Sequence, residues 1–122
     1  MIKSEIQLGV VEAKFADIIW ENEPISSSEL VKISATELKW KRTTTHTVLR
    51  RLCDKGLFQN ENGIVSKCIS RDDFYSKQSR KYVDTVFNGS LPAFIASFTK
   101  DNSISKDDVA KIKKLINDAK EV

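Results

Sequence analysis

The fold is decided by residues 42–69, which read RTTTHTVLRRLCDKGLFQNENGIVSKCI. The first part predicts a helix from about Arg42 to Asp54, because apolar or small residues recur at the spacing of one helical face. Gly56 provides the stop, since glycine readily adopts the left-handed backbone that follows a helix. The inward stripe of this helix is predicted to be Thr45, Val48, Leu49 and Leu52.

A hairpin is predicted directly after this helix. Two β-prone segments, around 57–59 and 64–69, flank the dipeptide Asn62-Gly63. An Asn-Gly pair in that position is the strongest short-range hairpin signal, because both residues tolerate the positive φ of a type I′ turn. We therefore expect a short two-stranded wing beside the helix.

Two further helices are predicted before residue 42. Apolar residues between Glu12 and Trp20 recur at helical spacing, and Pro24 disfavours helical backbone at the residue before it. Residues 26–29, Ser-Ser-Ser-Glu, match the pattern of a capping box and are predicted to open the second helix. Three helices and a hairpin predict a mainly α winged helix-turn-helix domain over residues 1–70.

Residues 71–122 are predicted to form a helical C-terminal region. Ser70, Ser90 and Ser105 each precede a segment with helical apolar spacing and suit an N-cap position. We expect this apolar surface to pair with a second copy in a homodimer; a three-helix subdomain with its own core is the alternative. The residues expected at the dimer surface are Tyr82, Val83, Val86, Phe87, Leu91, Phe94, Ile95, Phe98, Ile112, Leu115 and Ile116.

Charge is segregated along a chain whose formal net charge is only +3. Residues 1–38 hold three cationic against seven acidic residues, whereas residues 39–55 hold six against one. The basic segment fits a polyanion-binding element, with an ordinary solvated helix face as the alternative. Opposite the apolar stripe the helix presents hydroxyls, an imidazole and guanidiniums, which favour DNA. This face contains Thr43, His46, Thr47 and Arg50, with Arg51 at its edge.

The sequence does not favour catalysis, metal binding or membrane insertion. A single histidine and the lack of a glycine-rich phosphate loop predict no catalytic residues and no enzyme. Cys53, Cys68 and His46 do not have the spacing of metal ligands, so we predict no metal and no cofactor. We expect Cys53 to be half-packed and Cys68 to lie in a strand. Without a signal-peptide pattern or an apolar membrane span, we expect a cytoplasmic protein with no direct membrane insertion.

The chain resembles the penicillinase-repressor family of winged-helix regulators, which has copper-responsive relatives. The matching stretches are Ile18-Ile19-Trp20, Trp40, Thr44-x-x-Thr47-Val48-Leu49-x-Arg51-Leu52-x-x-Lys55-Gly56 and Phe87-x-Gly89-Ser90-Leu91. The resemblance implies a bacterial homodimeric repressor of antibiotic-resistance or stress genes that binds inverted-repeat double-stranded operator DNA. By position, it implies that Thr43, Thr44, His46, Thr47 and Arg51 face the groove. The helix face adds Arg50, and the cations Lys41, Arg42 and Lys67 are expected at phosphates.

The chain departs from this family in its regulatory features. In β-lactam-responsive members a membrane sensor triggers cleavage of an Asn-Phe bond, and the corresponding pair here is Ser97-Phe98. That pair is the expected regulatory cleavage site, with an upstream membrane sensor-protease as the expected partner. Copper-responsive members have a cysteine-rich tail, whereas this chain ends Ala-Lys-Glu-Val. The alternative functions are a protein-interaction adaptor without specific DNA binding and a metal-responsive repressor.

Overall fold

The computed structural model describes residues 8–122, which contain six helices and three short strands. The helices are α1 (Val10–Asn22), α2 (Ser27–Glu37), α3 (Arg42–Asp54), α4 (Arg71–Val86), α5 (Leu91–Thr99) and α6 (Lys106–Asp118). The strands are β1 (Ile25–Ser26), β2 (Phe58–Glu61) and β3 (Ile64–Lys67). This element order confirms the predicted winged helix-turn-helix, mainly α, with helices after it. The chain divides into two compact units, the first ending at Tyr82 and the second running from Val83 to Val122.

Local capping chemistry sets the ends of the first two helices. The Oγ of Ser26 accepts a hydrogen bond from the Glu29 N–H at 3.1 Å, which confirms Ser26 as the N-cap of α2. Helix α1 begins earlier than the apolar spacing predicts. The Gly9 N–H donates to Oε1 of Glu12 at 3.2 Å and stabilises the first turn. Neither residue is apolar, so the apolar spacing does not show this turn.

Helix α3 and the hairpin follow the sequence pattern closely. The predicted bounds of α3 are confirmed, and its predicted inward stripe is buried. The φ angles of Asn62 and Gly63 are 54° and 84°, as the predicted turn requires. Strand β1 was not predicted, because two residues are too few to show an alternating pattern; Ile25 pairs with Val65 and places β3 between β1 and β2. The prediction that Cys68 lies in a strand is wrong, since β3 ends at Lys67 and Cys68 is exposed.

The first unit contains one hydrophobic core. Trp20 lies at its edge: its Nε1 donates to the Ile69 carbonyl at 2.9 Å, and its ring centroid is 5.2 Å from Phe58 and 5.8 Å from Phe74. Phe74 belongs to α4, so the start of this helix packs on the winged-helix core. The buried hydrophobic residues are Phe15, Ala16, Ile18, Ile19, Ile25, Leu30, Val48, Leu49, Leu52, Leu57, Phe58, Val65 and Phe74.

The separation of the compact units lies inside α4, after Tyr82, whereas the predicted functional boundary lies between residues 70 and 71. The difference arises because Phe74 is 5% exposed and contributes to the first core. The division into a DNA-binding part and a dimerisation part stays a prediction. Within residues 8–122, no helix is both long enough and apolar enough to cross a bilayer.

Candidate nucleic-acid interface

The outer face of α3 carries the polar side chains predicted to contact DNA. Leu49 and Leu52 are 3% and 0% exposed, so the inner stripe fixes the rotation of the helix. On the opposite side Thr43, Thr47 and Arg50 are exposed. Thr44 is also exposed, and His46 is half-buried. The fold therefore gathers hydroxyl, imidazole and guanidinium groups on one solvent-facing surface.

The N-terminus of α3 is well suited to an anion. Its N-cap, Lys41, makes no side-chain cap, and the first turn contains no acidic residue. Lys41 and Arg42 are both exposed. Unpaired N–H groups and the positive end of the helix dipole favour a phosphate at such a position. Two of the three cations predicted to bind phosphate therefore lie where the backbone itself favours an anion.

A shallow cavity of about 230 Å³ lies between α3 and the wing. Leu49 and Cys53 provide its apolar side, and His46, Arg50 and Asn60 provide its polar side. Sequence reasoning missed Asn60, because the Asn-Gly turn after it explained the local polarity. Its Oδ1 accepts the Gly63 N–H at 3.1 Å, so Asn60 both shapes the hairpin turn and lines the cavity.

The cysteines of the first unit are free thiols in different environments. Burial raises the pKa of the Cys53 thiol, and the nearby Cys68 and Asp54 raise it further. A thiol with a raised pKa stays protonated near neutral pH, which makes Cys53 a poor nucleophile and metal ligand. Among residues 8–122, no three His, Cys, Asp or Glu side chains are placed to hold a metal ion.

Two of the predicted DNA-contacting cations are engaged by acids of the first unit. Nη1 of Arg51 lies 3.0 Å from Oε2 of Glu12. Nζ of Lys67 lies 3.6 Å from Oε2 of Glu23, whose Oε1 also accepts the Lys67 N–H at 3.3 Å. The structure thus separates Arg51 and Lys67 from Arg50, which has no ion-pair partner within residues 8–122. Their contact with DNA stays a prediction.

The carboxyl group of Glu12 is partly buried and lies near two cations, Arg51 and Lys55. Burial alone raises the pKa of its carboxyl group. The hydrogen bonds from the Gly9 N–H and the Arg51 guanidinium, together with the charges of Lys55 and Arg51, outweigh that effect and hold the pKa below its ordinary value. Glu12 is therefore an ionised partner for Arg51 throughout the neutral range.

The second unit exposes most of the residues predicted to form the dimer surface. Within α5, Leu91, Ile95 and Phe98 are 47%, 44% and 61% exposed. Phe87 and Phe94 are half-buried, with ring centroids 5.6 Å apart. The predicted cleavage pair, Ser97 and Phe98, lies in α5 with both side chains exposed, and cleavage there stays a prediction. The further exposed apolar residues of this unit are Val86, Ile112, Leu115, Ile116 and Val122.

Known proteins resemble this chain along nearly all of its length. A model of the penicillinase repressor family matches residues 8–118. The penicillinase repressor of Bacillus licheniformis is 22% identical over 118 residues, covering 93% of this chain and 92% of that protein. The methicillin resistance regulatory protein MecI of Staphylococcus aureus is 21% identical over 115 residues, covering 91% and 94%. A penicillinase repressor of Staphylococcus aureus is 20% identical over 122 residues, covering 97% of each chain.

Proposed function

The chain belongs to the penicillinase repressor family, and from this premise we propose that it is a homodimeric transcriptional repressor that occupies an inverted-repeat operator through α3 of each subunit. The relatives are repressors and a regulatory protein by name. The observation that carries the proposal is the outer face of α3, which combines exposed Thr43, Thr47 and Arg50. The only acid of α3, Asp54, is its last residue.

The side chains on this face suit base recognition in a major groove. An arginine can donate two hydrogen bonds to O6 and N7 of guanine, and a threonine offers a hydroxyl or a methyl group to base edges. In the proposed complex Arg50 and Thr47 read bases, while Lys41 and Arg42 hold phosphates near the N-terminus of α3. The half-buried imidazole of His46 supplies a further polar contact beside the cavity.

The second unit supports the homodimer part of the proposal. Helices α5 and α6 and the end of α4 leave a set of large apolar side chains exposed, which is more than a solvated monomer surface normally carries. Covering them with a second copy would join two α3 helices by a two-fold axis. A symmetric dimer reads two half-sites about one helical turn apart, which matches an inverted repeat. Acting on DNA in this way implies a cytoplasmic protein.

The test is selection of bound duplexes from a randomised DNA pool, because the operator sequence is unknown. We expect the enriched DNA to contain an inverted repeat with half-site centres about 10 base pairs, or a multiple of that, apart. Enrichment of no motif, or of a single asymmetric half-site bound by one chain, would contradict the proposal. Sequence-specific binding that survives Arg42→Ala, Thr47→Ala and Arg50→Ala together would exclude the outer face of α3 as the reading surface, whereas enrichment of no motif would favour a protein-interaction adaptor.

A further inference from the structure

Helix α1 and its C-cap hold acids that reach three other elements of the first unit. Glu12 pairs with Arg51 of α3 at 3.0 Å, and Asp17 pairs with Arg71 at the start of α4 at 2.8 Å. Glu23, the C-cap, pairs with Lys67 at the end of β3 at 3.6 Å. Three of the acidic residues of the segment 1–38 therefore form ion pairs with cations of elements that are distant in sequence.

The pair of Glu12 and Arg51 is the one that joins α1 directly to α3. One carboxylate oxygen of Glu12 accepts the Gly9 N–H at the start of α1, and the other accepts from the Arg51 guanidinium. The Glu12 side chain is only 21% exposed, whereas that of Arg51 is 50% exposed. A carboxylate held at both oxygens has a fixed position, so it restrains the guanidinium that it binds.

We propose that Arg51 is a positioning residue, clamped by Glu12, that sets the placement of α3 against α1, and that Arg50 rather than Arg51 reads bases. The proposal deepens the function proposed above and rests on it. Arg50 and Arg51 are adjacent on a helix, so their side chains project about 100° apart. Only Arg51 reaches α1, and Arg50 points to the exposed cavity side of α3.

The direction in which Glu12→Gln changes DNA affinity shows whether Arg51 is a clamp residue or a DNA contact. Glu12→Gln removes a negative charge close to the DNA-binding face, so electrostatics alone would strengthen DNA binding. If Glu12 instead holds α3 in place through Arg51, the same change weakens specific binding. Glutamine keeps the side-chain shape and serves equally well at this helix position, so the cap with Gly9 is retained.

The experiment is a double-mutant cycle of Glu12→Gln, Arg51→Gln and the double variant, with two matched controls. Glu21→Gln removes the same charge from α1 at an exposed position with no ion pair among residues 8–122. Arg50→Gln removes the neighbouring guanidinium of α3. Thermal unfolding is measured without DNA, and binding is measured by fluorescence anisotropy on the selected duplex and on a scrambled duplex.

For the clamp, we expect Glu12→Gln and Arg51→Gln each to lower Tm by about 1–5 °C, and the double variant to lower it no further. Each single change weakens specific binding by about threefold to tenfold, and the double variant binds no more weakly than either single variant. The Glu21→Gln control leaves Tm unchanged and does not weaken binding. Arg50→Gln leaves Tm unchanged but reduces discrimination between the two duplexes.

Two results overturn the clamp. One is additive loss of Tm in the double variant; the other is tighter specific binding by Glu12→Gln combined with loss by Arg51→Gln, which would make Arg51 a DNA contact. If the wild-type protein selects no DNA, the proposed repressor function fails. The Tm cycle alone then decides whether Glu12 clamps Arg51, because that measurement requires no DNA.

Discussion

The two compact units are built from similar capped, amphipathic helices, yet they differ in what they bury. In the first unit α1, α2, α3, the start of α4 and the small sheet enclose an apolar core that includes Phe15, Leu30 and Leu52, each 0% exposed. No residue of the second unit, 83–122, is buried, and Phe98 and Leu115 are more than half exposed. The first unit completes its own core, whereas the second leaves its apolar stripes exposed.

The largest expected effect tests the self-sufficiency of the first core. We expect Leu52→Ala to lower the free energy of unfolding by about 2–5 kcal/mol, because a fully buried leucine leaves a cavity in packed surroundings. Chemical denaturation followed by tryptophan fluorescence measures the loss. Ile64→Ala is the matched control: Ile64 is 47% exposed in the same unit, and its loss should stay below about 1 kcal/mol. Equal losses for the two variants would contradict a closed core.

The next effect tests whether the second unit is covered by a second copy. We expect Leu115→Asp to convert a dimer to a monomer in analytical ultracentrifugation, because it places a charge in the apolar stripe of α6. Operator binding should weaken by about 100-fold or more, since the two half-sites are no longer bound by one linked molecule. Ala110→Asp adds the same charge on the opposite side of α6. If both variants remain dimers, the apolar stripe is not the dimer surface.

A smaller effect separates the roles of the exposed cations in the first unit. We expect Arg50→Ala to cost about 1–3 kcal/mol on the selected operator and little on scrambled DNA, because a base contact is lost. Arg42→Ala should instead weaken binding to both DNAs and reduce the salt slope by about one. Titrations at two salt concentrations distinguish the two patterns. A uniform loss from Arg50→Ala would place that side chain at a phosphate.

The smallest expected effect is the pH dependence of the link between α1 and α3. Because the pKa of Glu12 is lowered in the folded protein, its ionisation stabilises the fold above the unfolded-state pKa of 4.5, and this stability is lost as the pH falls through the lowered value. We expect Glu12→Gln to cost about 1 kcal/mol or less at pH 7, since Arg51 is half exposed. Thermal unfolding at pH 7 and pH 3 should show the difference between the two proteins shrinking at low pH. A difference of the same size at both pH values would contradict an ionised pair.

Local chemistry allowed much of this structure to be predicted. The bounds and buried stripe of α3, the Asn62-Gly63 turn and the N-caps Ser26, Ser90 and Ser105 follow from residues within four or five positions of one another. These features depend on helical periodicity, on backbone preferences of single residues and on hydroxyls that accept nearby N–H groups. Such interactions can be predicted because the residues that make them are close together in the sequence.

Tertiary structure decided what these elements contact. The two-residue β1, the burial of Phe74 with the first core and the pairing of Arg51 with Glu12, 39 residues away, have no local signal. Helix periodicity places Arg51 at the edge of a polar face, but only packing determines whether the nearest charge is a carboxylate of α1 or solvent. Short-range residue patterns therefore predict which helices form and which of their sides are apolar. Long-range packing determines which cations are paired and which apolar stripes stay exposed, because both depend on residues that are close in space and distant along the chain.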